Sequence, residues 1–432
     1  MPVVTRPFDP VQIAHLGSAL IALEGGVATA AGGVLLWGWS YDPDGEVRAL
    51  HAELDGRSHE VELLDRAPRP DVVEMFGADW PAPAPNAGWL GFVQLEPEAA
   101  ASLGGEVRLR VQSDEGSAVT ANRLRYQPGV GPERTLLPHL PLRELSPQGL
   151  RRVGEALWRP EAERAGRAAQ GRAAVRVFGP DRRGDLSLVI PWRAGWNALR
   201  DTLAYLDIDP QSRRLEVVLV LAGGQDAQDA ARAIETAATE LAVLVVHGAG
   251  QLSVGAAARL GAEAATSPVI ALMADDVVPP SAGWVDAAIE AASAGAWLTP
   301  ARMARFDGAF TRVSPWPGGE RGTAWSHADA FAALRSTPLA DWSPGLVIVA
   351  RELFLKGEFA PAAMATAHGF WTALLVHALD QGARPFGPGD AFTLAPAGRS
   401  GPGEVGDLAL LDLYALAEAI GRLNPAGEST AP

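Results

Sequence analysis

The sequence predicts a two-domain protein in which a small all-β domain precedes a larger α/β domain with a mostly parallel sheet and flanking helices. The α/β domain is predicted from three apolar runs, at 186–191, 215–221 and 268–273, that alternate with helical segments. Uninterrupted apolar runs of this length are typical of parallel strands buried on both faces. The all-β domain is predicted from short segments of alternating polarity, separated by Asp-Gly and Pro-Asp-Gly turns. A chain of 432 residues is also too long for one ordinary core.

The first 127 residues divide into a helix and the all-β domain. The segment 11–23 is amphipathic, and it predicts an N-terminal helix within residues 1–23. Residues 24–127 form the all-β domain, with strand candidates at 33–39, 47–54, 60–63, 88–95 and 106–112. Period-2 alternation with turns at this spacing favours an antiparallel β-sandwich of immunoglobulin-like size.

The remaining boundaries follow from composition. Residues 128–184 are predicted to be a Pro/Gly-rich linker and a bridging helix, which starts at Ser146-Pro147 with proline at the first helical position. The α/β domain is assigned to residues 185–395. Residues 396–432 are predicted to contain a Gly/Pro-rich segment, an amphipathic helix at 404–423 and a tail.

Composition excludes several classes of function. A net charge of −15 disfavours a nucleic-acid partner, because phosphate contacts need clustered Arg and Lys. The absence of cysteine excludes disulfides and thiolate metal sites. The N-terminus lacks the pattern of a signal peptide, and no run approaches the roughly 20 apolar residues of a membrane span. We therefore expect a cytoplasmic protein without a membrane span.

Polar residues follow the ends of two of the apolar strands. The first strand ends in Ile190-Pro191-Trp192-Arg193, and the third ends in Ala274-Asp275-Asp276. Open α/β sheets bind ligands outside the carboxyl ends of their strands. The amides of the helix after the first strand, together with Arg193, are therefore candidates for binding a phosphate. The alternative is an ordinary strand-to-helix turn.

With this order of strands and acids, residues 185–385 resemble the nucleotide-sugar domain of family 2 glycosyltransferases. The resemblance implies the GT-A fold, a Rossmann-like, mixed but mostly parallel sheet. It also implies transfer of a sugar from a nucleotide-sugar donor to an acceptor hydroxyl, with inversion, on a saccharide or protein acceptor. Short motifs of the all-β domain, at 38–39, 69–72 and 91–92, are similar to a module found ahead of some bacterial members.

The resemblance implies roles for residues at the strand ends. Asp276 aligns with the acid that holds a divalent metal, Mg²⁺ or Mn²⁺, and Asp275 with the middle position of that acidic motif. Pro191 and Arg193 align with the first nucleotide-contacting loop, and Arg259 with a residue facing the pyrophosphate. From the residues alone, Asp276 is equally a cap of the next turn and Arg259 an exposed residue of an Ala-rich helix.

The sequence departs from the family pattern where catalysis is expected. Leu221-Ala222 replace the acids that read the base, and Ala274 replaces the first acid of the metal motif. On a late helix, Phe370, Trp371 and Ala373 stand where the family has its catalytic acids.

These departures leave His368 as the candidate base and Trp342 and Trp371 as candidates for an acceptor cleft, since Trp faces stack on sugar rings. A structural role is the alternative for His368, and core packing is the alternative for each Trp. The departures also keep two other functions open. One is a non-catalytic domain that binds saccharide or a protein partner; the other makes the all-β domain the functional module and the α/β domain a scaffold.

Overall fold

The chain forms two compact units, Met1–Arg164 and Ala165–Pro432. The computed structural model describes residues 12–423 except for 43, 45–46, 77–85, 104, 115, 127–135, 137–139, 171–173, 180–183, 193–195, 222–231, 233, 237–239, 248–251, 276, 278–283, 300–301, 306–309, 313–331, 333, 336–344, 358–363, 365, 386–391 and 396–406.

The first unit consists mainly of strands. Its described strands are β1 (Ile13–Leu16), β2 (Ala19–Ala28), β3 (Gly33–Tyr41), β4 (Ala49–Leu54), β5 (Arg57–Glu60), β6 (Glu62–Ala67), β7 (Gly88–Gln94), β8 (Gly105–Gln112) and β9 (Ser117–Tyr126). Its described helices are α1 (Pro70–Phe76), α2 (Pro97–Ser102), α3 (Pro147–Val153), a π-helical turn (Gly154–Trp158) and α4 (Arg159–Gln170), the last of which continues past the unit boundary.

The nine strands pair in one continuous order. The antiparallel groups β2-β3-β7-β6 and β5-β4-β8-β9 are joined by parallel pairing of 26–28 in β2 with 124–126 in β9, and β1 pairs with β2. One apolar core takes residues from both groups, including Leu36 and Val93 from the first and Leu54 and Leu109 from the second. The predicted division into the two sheets of a sandwich stays a prediction.

The predicted N-terminal helix is wrong. The segment is a β-hairpin in which Leu16 pairs with Ala19 across a two-residue loop, Gly17-Ser18. Gly17 has φ +57°, a left-handed conformation that glycine adopts without steric cost. A Gly-Ser pair between two short apolar runs is a hairpin signal, and it outweighs the helical periodicity of the window.

Helix α3 starts at Ser146-Pro147, where the sequence predicted the start of a helix. Ser146 is the N-cap of α3, and its hydroxyl accepts a hydrogen bond from the Gly149 amide (3.0 Å). The amide of Ser146 in turn donates to Asp65 Oδ2 of β6 (2.7 Å). The helix is therefore fixed to the N-terminal sheet from its first residue.

Further along, Glu161 attaches α4 to the same unit. Its side chain is 1 % exposed and accepts hydrogen bonds from the Ala31 amide (2.9 Å) and from Arg164 Nη2 (2.5 Å). The segment up to Arg164 thus belongs to the first unit, where the sequence predicted a bridge within 128–184.

The second unit alternates strands and helices. Its described strands are β10 (Ala174–Phe178), β11 (Leu186–Trp192), β12 (Leu215–Leu221), β13 (Ala242–His247), β14 (Val269–Met273), β15 (Leu298–Thr299), β16 (Arg302–Arg305), β17 (Phe310–Arg312), β18 (Leu346–Ala350), β19 (Arg384–Pro385) and β20 (Phe392–Ala395). Its described helices are α5 (Trp196–Asp207), a 3₁₀ turn (Ser212–Arg214), α6 (Val254–Ala264), α7 (Trp284–Ser293), α8 (Arg351–Lys356), α9 (Ala367–Asp380) and α10 (Asp407–Leu423).

The predicted mixed, mostly parallel sheet is confirmed. The strand order is β10-β13-β12-β11-β14-β18-β15-β19, with parallel pairing from β13 through β14 and antiparallel pairing of β10 and β18 with their neighbours in that core. The sheet begins at β10, upstream of the predicted boundary at 185. A separate three-stranded sheet has the order β17-β16-β20.

Helix α6 packs directly on the central strands. A Cβ at Gly261 would lie 2.5 Å from Val189 Cγ1 and 2.8 Å from Val220 Cγ2, so only glycine allows this approach to β11 and β12. Helix α10 lies within the segment 404–423 that the sequence predicted to be helical, and it packs against α9. In the described part of the chain, no helix is long and apolar enough to cross a bilayer.

Candidate functional site

The sheet reverses its order between β11 and β14. From β11 the chain proceeds to β12 and β13 on one side, and then returns to form β14 on the other side of β11. In open α/β sheets the crevice at such a reversal, at the carboxyl ends of the strands, is the usual ligand site. The residues that follow β11 and β14 were the ones predicted to bind the nucleotide and the metal.

At this edge, β11 pairs further with β12 than with β14. Pairing of β11 with β14 stops at Val189, opposite Leu272, whereas pairing of β11 with β12 continues to Trp192, opposite Leu221. Pro191 lies in the segment without a β14 partner, where its missing N–H leaves no hydrogen bond unmade on that side. Among the described residues, the last three residues of β11 therefore have strand partners in β12 and none in β14.

Buried side chains form the end of β11. Pro191 and Trp192 are both buried, and Trp192 Nε1 has no hydrogen-bond partner within the described residues. An indole N–H is a donor, and buried donors are normally paired. Arg193, the predicted phosphate ligand of this loop, lies outside the described residues.

The turn after β14 carries the described acid. The Ala274 amide donates to the Gly345 carbonyl (2.8 Å), and the Val277 amide donates back to the Ala274 carbonyl (3.2 Å), which closes a tight turn around half-buried Asp275. Asp276, the predicted metal ligand, lies outside the described residues. Within the described part of the chain, no group of three or more His, Asp or Glu side chains is arranged to hold a metal ion.

Arg259 lies two turns into α6. Helix α6 starts after β13 and ends before β14, so its N-terminus is at the carboxyl edge of the sheet and Arg259 is about 9 Å along its axis from the Ser253 cap. Its Nε donates to Glu263 Oε1 (3.2 Å), one turn further from that edge. This ion pair directs the guanidinium away from the strand ends, where the sequence predicted a pyrophosphate contact.

His368 lies in the first turn of α9, whose N-cap is Thr366. Helix α9 leads through a tight turn at Gly382 (φ +78°) into β19, which runs parallel to β15 and hence parallel to β14. Because α9 precedes β19 by a tight turn, it runs in the opposite direction. Its N-terminus therefore lies toward the carboxyl edge of the sheet, where the donor was predicted to bind. His368 is half-buried, and its carbonyl accepts from Thr372 Oγ1 (2.9 Å).

The prediction that Trp371 lines an acceptor cleft is wrong. Its side chain is 3 % exposed and packs in the core of the second unit, edge-on to Phe370 at a ring-centroid distance of 5.0 Å. Phe370 and Ala373, at the other positions aligned with catalytic acids, are also buried. Helix α9 is apolar on nearly all sides, as expected for a helix that is covered by the sheet and by α10. Trp371 therefore does not lie on an exposed face. Trp342 lies outside the described residues.

Two features of this region were not predicted from the sequence. One is the buried Trp192 donor at the end of β11. The other is Asp412 of α10, which is 1 % exposed and accepts hydrogen bonds at the start of α9. A signal for Asp412 was present, because a single acid interrupts the apolar run Leu410-Leu411-Asp412-Leu413. A buried carboxylate in such a run requires partners.

Comparison with known proteins gives fold neighbours and no sequence relatives. No protein-family model matches the chain, and no curated protein sequence matches it. Among solved structures, it is similar to the mannosyltransferase PcManGT from Pyrobaculum calidifontis in complex with GDP-Man and Mn²⁺, at 15 % identity over 64 % of this chain and 80 % of that chain, with a TM-score of 0.36.

Two further similar structures have comparable values. TarS 1–349 of S. aureus in complex with UDP has 15 % identity over 54 % of this chain and 65 % of that chain, with a TM-score of 0.35. Glucosyl-3-phosphoglycerate synthase of Mycobacterium tuberculosis in complex with phosphoglyceric acid has 15 % identity over 63 % of this chain and 85 % of that chain, with a TM-score of 0.32. Values this low carry no argument about activity or substrate.

Proposed function

We propose that the chain is a glycosyltransferase that transfers a sugar from a nucleotide-sugar donor to an acceptor hydroxyl of a saccharide or protein. The observation that carries the proposal is the reversal of the sheet order between β11 and β14, where the pairing of these two strands ends at Val189 and Leu272. In the sequence, Pro191 lies at the end of β11, and the acidic pair Asp275-Asp276 follows β14. The motifs that resemble a nucleotide-sugar domain thus belong to the sheet edge where open α/β sheets bind ligands.

In this proposal the donor diphosphate lies at the carboxyl ends of β11 and β14. Amides and Arg193 in the loop after β11 bind phosphate oxygens, for which a guanidinium is well suited. Asp275 and Asp276 face the same diphosphate from the turn after β14. The hydrogen bond from the Ala274 amide to the Gly345 carbonyl, which fixes the residue before Asp275, supports this role.

A divalent cation, Mg²⁺ or Mn²⁺, is part of the proposal, with Asp276 as its protein ligand. The described residues contain no group of three or more acidic or histidine ligands, and an acidic pair alone fits a cation only when diphosphate oxygens complete its shell. A bound cation would stabilise negative charge on the leaving diphosphate. We therefore expect metal and nucleotide to bind together.

Catalysis with inversion requires a base for the acceptor. In the proposed step His368 accepts the hydroxyl proton, the acceptor oxygen bonds to the anomeric carbon, and the bond from that carbon to the diphosphate oxygen breaks. Placement of the α9 N-terminus toward the carboxyl edge of the sheet supports this role.

A specific observation favours a second candidate, a domain that binds a saccharide or a protein partner without catalysis. The three positions aligned with catalytic acids hold Phe370, Trp371 and Ala373, and all three are packed in the interior. An Asp or Glu at any of these three positions would be a buried charge without a partner. The packing of α9 therefore disfavours the catalytic acids of the family.

Binding is tested by calorimetric titration with UDP and with GDP, each with and without Mn²⁺. We expect heat and a thermal shift only with nucleotide and Mn²⁺ together, and we expect both to vanish in Asp276→Ala. Asp286→Ala, which removes an exposed acid in an ion pair with Arg214, is the matched control and should bind as the wild type does. Nucleotide binding that is unchanged in Asp276→Ala would remove the metal role.

Activity separates the two candidates. An enzyme should hydrolyse or transfer the donor sugar, and His368→Ala should lose most of that activity, roughly 10²–10⁴-fold. His15→Ala, at an exposed position of the first unit, is the control. A protein that binds nucleotide or saccharide but shows neither hydrolysis nor transfer would support the non-catalytic candidate.

A further inference from the structure

The N-terminus of α9 has half of a capping box. In a capping box, the hydroxyl of the N-cap residue accepts the amide of the third helical residue, and a Glu or Gln at that third position accepts the amide of the N-cap residue. Here Thr366 is the N-cap, and its Oγ1 accepts from the Gly369 amide (2.9 Å). Gly369 is the third helical residue and has no side chain to supply the second half.

Asp412 of α10 supplies the missing half. Its Oδ2 accepts from the Thr366 amide (2.8 Å) and from Thr366 Oγ1 (2.6 Å). A Cβ at Gly369 would lie 2.1 Å from Asp412 Oδ2 and 2.4 Å from Asp412 Cγ. The carboxylate therefore occupies the space that a side chain at position 369 would fill, and it takes over the hydrogen bond that such a side chain would make.

The hydrogen bonds of Asp412 should stabilise the start of α9 strongly. A carboxylate at a helix N-terminus interacts favourably with the positive end of the helix dipole, and its bonds to N–H and O–H donors are charge-assisted. Asp412 is 1 % exposed, so solvent competes little with these bonds. Because Thr366 Oγ1 both donates to Asp412 and accepts from Gly369, one chain of hydrogen bonds fixes the first turn of α9, which contains His368.

We propose that Asp412 is a positioning residue for His368: a carboxylate from the C-terminal helix completes the capping box of α9 and thereby sets the orientation of the candidate base. This rests on the proposed function, in which His368 accepts the acceptor proton. Helix α10 then belongs to the transferase site, because it carries Asp412, whose carboxylate orders the turn that contains His368.

The test compares Asp412→Ala, Asp412→Asn and the double variant Asp412→Ala/Gly369→Glu. Removing Asp412 leaves the Thr366 amide without its acceptor, and the double variant restores an acceptor within α9 itself, in the space that Asp412 vacates. Ser146→Ala is the matched control, because it removes an equivalent N-cap hydrogen bond from α3 in the first unit. Two readouts are used: kcat and KM for transfer, and the NMR signal of the His368 imidazole in histidine-labelled protein, assigned with His368→Ala.

We expect Asp412→Ala to lower kcat by about 10- to 100-fold, a loss of the size that misplacement of a catalytic group causes, with little change in the donor KM. The His368 signal should shift or broaden in Asp412→Ala and return toward its wild-type position in the double variant. Ser146→Ala should change neither readout. If Asp412→Ala fails to fold, Asp412→Asn, which keeps an acceptor oxygen, and the double variant provide the same comparison.

A kcat in Asp412→Ala equal to that of Ser146→Ala would overturn the positioning role, as would a double variant in which His368 stays displaced. If the wild type transfers no sugar from any donor, the proposed function fails, and the NMR signal still decides whether Asp412 orders His368. An unchanged His368 signal in Asp412→Ala overturns the proposal in either case.

Discussion

The backbone amide of Ala274 donates to the carbonyl of Gly345 at 2.8 Å, one step beyond the last residue pair of the β14–β18 ladder, Met273 with Leu346. This bond ties the residue before Asp275 to the residue before β18. The acidic turn is therefore held by a neighbouring strand as well as by its own, and its position depends on the backbone conformation at Gly345.

Gly345 has φ +60°, where a Cβ is strained. We expect Gly345→Ala to destabilise the second unit by about 1 kcal/mol and to weaken nucleotide binding, because relaxing the strain moves the carbonyl that holds Ala274. Gly382→Ala, at φ +78° with open space around its Cα, is the matched control and should lose similar stability but keep its nucleotide affinity. Urea unfolding and nucleotide titration measure the two effects. Equal loss of affinity in both variants would show that the Ala274 bond does not position the acids.

Trp192 provides a second test at the same edge. A buried donor without a partner costs about 1–3 kcal/mol, and that cost disappears when a ligand oxygen accepts the hydrogen bond. We expect Trp192→Phe to reduce the thermal shift that nucleotide and Mn²⁺ cause. Trp89→Phe is the control, because Trp89 Nε1 is likewise buried and has no partner among the residues that the structure describes, but it belongs to the first unit. A full thermal shift in Trp192→Phe would mean that no ligand atom bonds to this indole.

Glu216 is a test of stability at the opposite edge of the sheet. Its carboxylate is 2 % exposed and accepts hydrogen bonds from the hydroxyl of Ser187, from the Thr266 amide (2.9 Å) and from Thr266 Oγ1 (2.7 Å). Glu216→Ala should lower the free energy of unfolding by about 3 kcal/mol, since it leaves the buried Ser187 hydroxyl without this acceptor and removes both bonds to Thr266. Asp286→Ala, which breaks an exposed ion pair, should cost much less. Comparable losses in the two variants would contradict the structural role of the buried network.

The pH dependence of stability should contain a contribution from His377. Burial lowers the pKa of His377 below its usual value of 6.5, against an opposing effect of Asp380, and its ring packs edge-on to Trp297 at 5.3 Å. A histidine with a lowered folded-state pKa binds fewer protons when folded than when unfolded. Its stabilising contribution is therefore complete above the unfolded pKa and is lost as pH falls toward the folded value.

We accordingly expect the wild-type free energy of unfolding to decrease as pH falls from about 7.5 to about 5.5, and the decrease to be smaller in His377→Gln. Urea unfolding at several pH values in this range measures both slopes. A slope that is identical in the two proteins would show that His377 protonates equally well when folded.

The central strands were predictable because burial on both faces requires an uninterrupted run of apolar residues in the sequence. The runs predicted at 186–191 and 215–221 correspond to Leu186–Trp192 and Leu215–Leu221, whose residues are all buried. The edge strand at Ala174–Phe178 was missed, because an edge strand needs no continuous apolar run and Val175 and Val177 are exposed in it.

Features that depend on long-range pairing were not predictable. Asp412 and Thr366 are 46 residues apart, and no local pattern indicates that a carboxylate in one helix caps another. Trp371 was read as a sugar-binding aromatic because a sequence does not distinguish a helix covered by α10 from an exposed one. At Gly17-Ser18 the sequence does contain a local signal for a turn. The preference of these two residues for a turn outweighs the helical periodicity of the segment, which forms a hairpin.

The hydrogen bond from Ala31 to Glu161 has a practical consequence for dividing this chain into fragments. Composition changes near residue 127, but a fragment ending there would lack the carboxylate that the β2–β3 connection uses. It would also uncover the surface at Gly33 against which Leu157 packs. A self-sufficient N-terminal cassette, suitable for transplantation or separate expression, should therefore extend through the end of α4 at Gln170.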